Sequence, residues 1–153
     1  MIRAAVAEAR VFASWREYQD ALVRAVTPLT DAQLRQRPLL GRRTPGELAE
    51  HIVFGRALHL HRALGEPAAG LTPFLGWAAA AVPPRPAAEL VRGLDATWRV
   101  IVACVTRGTP TDDIPAEAAP AAQTVWGLLD HDLPHAGQLS LVLRAGGLPG
   151  VEI

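Results

Sequence analysis

The stretch Thr44-Pro45-Gly46-Glu47-Leu48-Ala49-Glu50-His51-Ile52-Val53-Phe54-Gly55-Arg56-Ala57-Leu58-His59-Leu60-His61-Arg62-Ala63-Leu64-Gly65 reads as one helix from start to stop. Thr44 suits the N-cap, because its side-chain oxygen can accept from an amide of the first turn. Pro45 then falls at the first helical position, where the missing N–H costs nothing. Gly65, with Pro67 two residues on, supplies the stop. Glu47, His51, Gly55, Leu58 and Arg62 lie along one stripe of this helix.

The segments on either side carry the same helical period. Upstream, Val11, Trp15, Leu22 and Val26 recur at helical spacings, predicting a helix from about Ala4 to Val26 that Pro28 stops. Thr30-Asp31-Ala32-Gln33 is a capping box opening a short helical turn. Downstream, Glu66 to Arg85 reads as a long proline-rich connection holding Trp77, Pro83 and Pro84. A third long helix is expected from Pro86 to about Arg107, ending at Gly108, with Leu90, Leu94, Trp98, Ile101, Val102 and Val105 as its apolar set. After a loop over Thr109 to Ala122, a fourth should run from Gln123 or Thr124 to Arg144, with Gly146 as its stop. No segment alternates apolar and polar residues over strand length, so the fold class is all-α. Four helices of this length imply a four-helix bundle, with a crossover between the second and third.

Composition narrows the function. At 153 residues, 1–153 is expected to form a single domain burying roughly 70% of its unfolded surface. Half the residues are apolar, which supports a core. All 15 basic residues are arginine, and 15 acidic residues balance them. Without net positive charge or a basic stripe, no nucleic-acid partner is expected. Cys104, the single cysteine, cannot form an internal disulfide. Residues Met1 to Ala5 do not resemble a signal peptide, and the apolar run from Ala68 to Val82 is too broken to span a membrane. The expectation is a cytoplasmic protein with no membrane partner.

The chemistry lies in the histidines. His131 and His135 are four apart in His131-Asp132-Leu133-Pro134-His135-Ala136-Gly137-Gln138, one turn above each other on a helix. Two imidazoles so placed can close on one metal ion, and His51, from a facing helix, can supply a third nitrogen. Three protein ligands leave a tetrahedral ion one open position, the layout of a catalytic site. Thr124, Leu128, Gln138 and Val142 share the face of this histidine pair. Gly55, one turn beyond His51, would leave space beside the ion for a ligand. Glu47 could accept a hydrogen bond from His51 and fix its tautomer. His59 and His61 fall on other faces and read as solvated.

The strings Leu29-Thr30-Asp31-Ala32-Gln33-Leu34, Arg37-Pro38, Thr44 to Ile52, and Thr124 to Leu139, with Leu143-Arg144 before Gly146-Gly147, resemble the DinB/YfiT-like superfamily of metalloenzymes. The resemblance spans nearly the whole chain. Its most specific parts are the histidine early in helix two and the His-x-x-x-His-x-Gly-Gln element of helix four. It implies an up-down-down-up four-helix bundle, often a homodimer, with a divalent metal ion, zinc or nickel, on a histidine triad. By position the metal ligands would be His51, His131 and His135. It further implies transferases and isomerases that use a low-molecular-weight thiol and act on an electrophilic small molecule.

Pro134 departs from that pattern. Inside a helix it removes a hydrogen bond to the carbonyl of Asp130, crowds that carbonyl, and pushes Leu133 from the α region, typically costing about 3 kcal/mol. A kinked helix is expected, directing both imidazoles inward or spoiling the triad. Three other functions therefore stand beside the thiol transferase: a non-catalytic binding or dimerisation bundle, a metal-dependent hydrolase at the same site, and a zincin-like protease with Asp132 as base. The proline, the short aspartate and the lack of a downstream ligand other than Glu152 argue against the last. Trp15, Trp98 and Trp126 read as core, and Trp77 as core, pocket cover or dimer contact. Cys104 reads as a small buried residue. Arg56 and Arg62 read as solvated helix charges, with binding of a ligand carboxylate the less ordinary alternative. No catalytic residue is assigned from sequence.

Overall fold

The computed structural model describes the backbone of residues 2–78, 85–107 and 119–152, and side chains within 9–66, 68–78, 85–106 and 125–152. Six α-helices fall there: α1 (Ile2–Val26), α2 (Asp31–Arg35), α3 (Pro45–Leu64), α4 (Thr72–Leu75), α5 (Ala87–Arg107) and α6 (Ala119–Ala145). No strand occurs among the described residues, so the chain is all-α. Both predicted caps form. The Thr30 and Thr44 side chains accept from the amides of Gln33 and Glu47, and those two side chains reach back to the cap amides. α3 ends at Gly65, whose φ of 61° suits a residue without a Cβ.

Three boundaries differ from the sequence reading. α6 begins at Ala119, several residues before the expected start, so the predicted loop is shorter at its C-terminal side. Gly108 and the acidic part of that loop lie outside the described residues, as do Pro83, Pro84 and the side chain of Thr124. The connection after Gly65 is helical over its first part, with 3-10 turns at Glu66–Leu71 and Gly76–Ala78 around α4. Small residues there let successive turns close, and Leu71 and Trp77 bury against the core. At the C-terminal end the left-handed residue is Gly147 (φ 76°), one past Gly146. The Leu148 amide donates to the Leu143 carbonyl at 2.9 Å, and that of Gly147 to Arg144 at 3.0 Å, a Schellman closure.

α3 is the element around which the rest assemble. It packs against α6 and α5, and also against α2, α4 and the 3-10 turns. Leu48, Ile52, Val53, Ala57 and Leu60 are almost wholly buried, each large side chain contributing roughly 1.5–3 kcal/mol. α1 packs on α5 and meets α6 through aromatic contacts. Trp15, buried, stands 5.6 Å from Trp98 and 6.0 Å from Trp126, both half-buried, so these three tryptophans belong to the core. Trp77 is buried as well. It lies against Gly93 of α5, where a Cβ would crowd its ring, and Arg85 stacks over it at 4.4 Å. Cys104 is half-buried against the core.

Pro134 does not break α6, which is helical throughout, Leu133 included. Both residues are exposed, and the turn holding them is tied down on its inner side. There the Tyr18 hydroxyl donates to the backbone carbonyl of Asp132 at 2.8 Å. A neighbouring element thus holds the segment that the proline weakens.

Candidate metal centre

The inner faces of α3 and α6 bring together the three histidines expected from sequence. One nitrogen from each of His51, His131 and His135 lies within 4.8 Å of the others, an arrangement able to hold a metal ion. His51 Nε2 faces His135 Nε2 at 3.1 Å. Around a tetrahedral ion with bonds of about 2.0–2.1 Å, ligand nitrogens stand about 3.3 Å apart, so this pair already has the needed separation. His131 Nε2 is buried and has no hydrogen-bond partner. An orphaned buried nitrogen costs about 1–3 kcal/mol unless something binds it.

The Nδ1 atoms of His135 and His131 are engaged. Gln138 Oε1 lies 3.1 Å from His135 Nδ1, and Asp132 Oδ1 lies 3.3 Å from His131 Nδ1. Both oxygens are acceptors, so each favours the tautomer with its proton on Nδ1 and a lone pair on Nε2. Burial depresses the pKa of His51 to about 4, with the charges of Arg43, His135 and His131 adding to the effect. His135 is also lowered, first by burial, although Gln138 opposes the shift. His51 and His135 are therefore neutral at pH 7, the state in which imidazole binds metal.

Beneath the histidines is a layer that sequence reading missed. Arg56 is fully buried, contrary to the expectation of a solvated charge. Its Nε and Nη2 grip Asp132 Oδ2 at 2.8 and 2.7 Å, and its Nη1 donates to Gln19 Oε1 at 2.7 Å. Burial opposes ionisation of Asp132, but the Arg56 guanidinium and the His131 hydrogen bond hold its pKa below the ordinary value. With both oxygens occupied, Asp132 is not free to act as a base, which removes the zincin-like alternative. Burial, reinforced by the charge of Asp132, pushes the Tyr18 hydroxyl upward and keeps it neutral. The available signal was the stripe that holds Arg56, since Ile52, Val53 and Leu60, three or four residues away on the helix, are all apolar.

Two expected roles shift. Glu47 does not reach His51: its carboxylate caps Thr44 N at 2.7 Å and pairs with Arg37 at 2.5 Å. Gly55 makes room for the His131 ring and not for a ligand, because a Cβ there would overlap that ring. His59 is exposed as expected, although its ring centroid is 5.9 Å from that of His131. Arg62 is exposed. Two grooves adjoin the histidines. One, about 410 Å³, runs past His135 and Gln138 between Leu39, Leu48, Leu141 and Val142. The other, about 270 Å³, lies beside His51 between Arg43, Glu47, Glu50 and Trp77.

Fold and site together define an all-helical protein with three histidines converging from two helices. A family profile described as the DinB superfamily matches residues 14–139, most of the chain and all three histidines. The chain belongs to the DinB superfamily. No curated protein and no solved structure matches it. No helix among the described residues is long and apolar enough to cross a membrane.

Proposed function

We propose that this protein is a metal-dependent enzyme whose divalent ion, zinc or nickel, is held by Nε2 of His51, His131 and His135. The observation that carries this is the orphaned Nε2 of His131 beside two Nε2 atoms already at ligand separation. Membership of the DinB superfamily and the clustered histidines support it. Reading the four long helices as one single-domain, up-down-down-up bundle fits α3 packing on both α5 and α6.

We further propose that the reaction is transfer or isomerisation using a low-molecular-weight thiol and an electrophilic small molecule, in a cytoplasmic homodimer. A bound divalent ion supplies the positive charge that deprotonates a thiol. The chain's own residues fix the nitrogens: Asp132 keeps a proton at His131 Nδ1, Gln138 keeps one at His135 Nδ1, and Arg56 holds Asp132 in place. The grooves beside His51 and His135 leave room for a small ligand on the open side.

Metal analysis of protein purified without a polyhistidine tag tests the first step. The expected result is about one equivalent of ion, lost in His51→Ala and His131→Ala with helicity retained. Absence of zinc, nickel, iron, copper and manganese, with no uptake on titration, overturns the enzyme reading in favour of a binding or dimerisation bundle. Metal with hydrolytic turnover and no thiol dependence would replace the thiol chemistry with hydrolysis.

A further inference from the structure

Three arginines around the histidine layer are committed to carboxylates. Arg37 pairs with Glu47, Arg56 with Asp132, and Arg85 with Glu50 at 3.0 Å and Glu89 at 3.5 Å. Glu47, Asp132 and Glu50 thus each face a guanidinium, that of Arg85 being shared with Glu89. Arg43 is different. It is exposed, and among the described residues it makes no hydrogen bond or ion pair.

Arg43 also lines both grooves, the one past His135 and the one beside His51. Arg42 lines the larger groove too. With Glu47 and Glu50 paired, the exposed guanidinium groups of Arg42 and Arg43 leave this edge of the grooves with uncompensated positive charge, and a divalent ion would add to it. Such a cleft concentrates anions. The larger groove is otherwise walled by Leu39, Leu48, Leu141 and Val142, and Leu141 leaves more than half its surface open to solvent, 59%. At about 410 Å³ it lies in the range of small-molecule sites.

We infer that the ligand taken up beside the histidines is a small amphiphilic carboxylate. Its carboxylate is held by Arg43, and its apolar segment lies along Leu39, Leu48, Leu141 and Val142. A planar guanidinium offers two parallel donors to a carboxylate, the geometry that distinguishes it from a neutral amide of equal size. This deepens the proposed function by naming a substrate class, and rests on it only for what meets the ligand's other end. The role assigned here to Arg43 is one that Arg56, buried against Asp132, cannot perform.

The test compares hexanoate with hexanamide, its neutral near-isostere, by NMR titration of the chelator-treated protein. Hexanoate is expected to bind about tenfold more tightly and to shift the methyl resonances of Leu39, Leu141 and Val142. Arg43→Met should reduce hexanoate to the level of the amide, and Arg43→Lys should restore part of the difference. Equal affinity for acid and amide, an Arg43→Met protein that still discriminates, or no binding of either probe up to about 10 mM overturns the inference. Metal uptake is measured separately. A protein that takes no ion yet discriminates acid from amide through Arg43 loses the metal reading and keeps this one.

Discussion

Two adjacent layers of the same helix pair treat polar groups in opposite ways. In the lower layer, Arg56, Asp132 and Gln19 are nearly or fully buried, and a chain of short hydrogen bonds links them. In the upper layer, His51, His131 and His135 are half-buried, and their inward nitrogens face one another or nothing. A charge removed from water must be paired or it destabilises the fold. A neutral imidazole nitrogen costs less to leave open, so it can wait for a ligand. The contrast separates a layer whose charges the chain itself pairs from one whose completion is a ligand's task. Asp132 belongs to both, since one oxygen faces Arg56 and the other His131.

The largest expected effect comes from breaking the lower layer on one side. Arg56→Met leaves Asp132 buried without its cation, and Asp132→Leu leaves Arg56 without its anion. Each should lose about 3–5 kcal/mol in urea unfolding. The double variant should recover much of that loss while still weakening metal binding, because His131 loses its acceptor. A single variant within about 1 kcal/mol of the parent would show that the lower layer is not closed in the sense argued here.

The histidine layer should respond in the opposite sense. His131→Ala removes a nitrogen that the metal-free fold does not satisfy, and His51→Ala removes one half of a single contact with His135, so unfolding of the metal-free protein should change by only about 1 kcal/mol. Their effect should appear as lost metal uptake. Asp132→Asn sharpens the link between layers. Its expected cost in metal affinity is about 10–100-fold, the usual effect of removing a partner behind a ligating histidine. Gly55→Ala sits between the two cases. Its methyl would occupy the place of the His131 ring, which can swing outward at a stability cost of at most about 1–3 kcal/mol. Metal uptake should fall far more than stability; unchanged uptake would mean that His131 binds from another position.

How much of this was readable beforehand follows the same division. Thr44, Pro45 and Gly65 marked α3 because caps and stops are local chemistry, settled within a few residues. His131 and His135 were readable as a pair because helical spacing alone places them on one face, with His51 able to supply a third nitrogen from a facing helix, which the family resemblance then matched by position. Arg56 was not. Its partner lies on another helix, 76 residues away, and an arginine amid His59, His61 and Arg62 reads as one more solvated charge. Glu47 illustrates the reverse error. Helical spacing put it one turn from His51, but the N-cap and Arg37 compete for the same carboxylate at shorter range. Pro134 looked disruptive because its penalty is local, whereas the Tyr18 and Arg56 contacts that hold the segment come from α1 and α3.

The smallest expected effect is in the acid dependence of the metal-free protein. The folded-state pKa of His51 is about 4, against an ordinary value of 6.5, because burial and the neighbouring charges of Arg43, His135 and His131 disfavour its cation. The unfolded chain therefore takes up more protons than the folded one between those values. Stability should fall as the pH is lowered from about 6.5 toward about 4, and should be flat in this group above that window. His135 and His59 are lowered mainly by burial and act in the same direction. Asp132 behaves differently because Arg56 faces it. Its pKa lies below 3.8, so its contribution persists through the histidine window and is lost only at still lower pH. Melting temperature measured against pH in the presence of chelator checks the difference: His51→Ala should flatten the slope between about 6.5 and 4 while leaving the steeper acid limb in place. An unchanged slope in that variant would mean that His51 is solvated well enough to hold a proton, and so does not wait neutral for an ion.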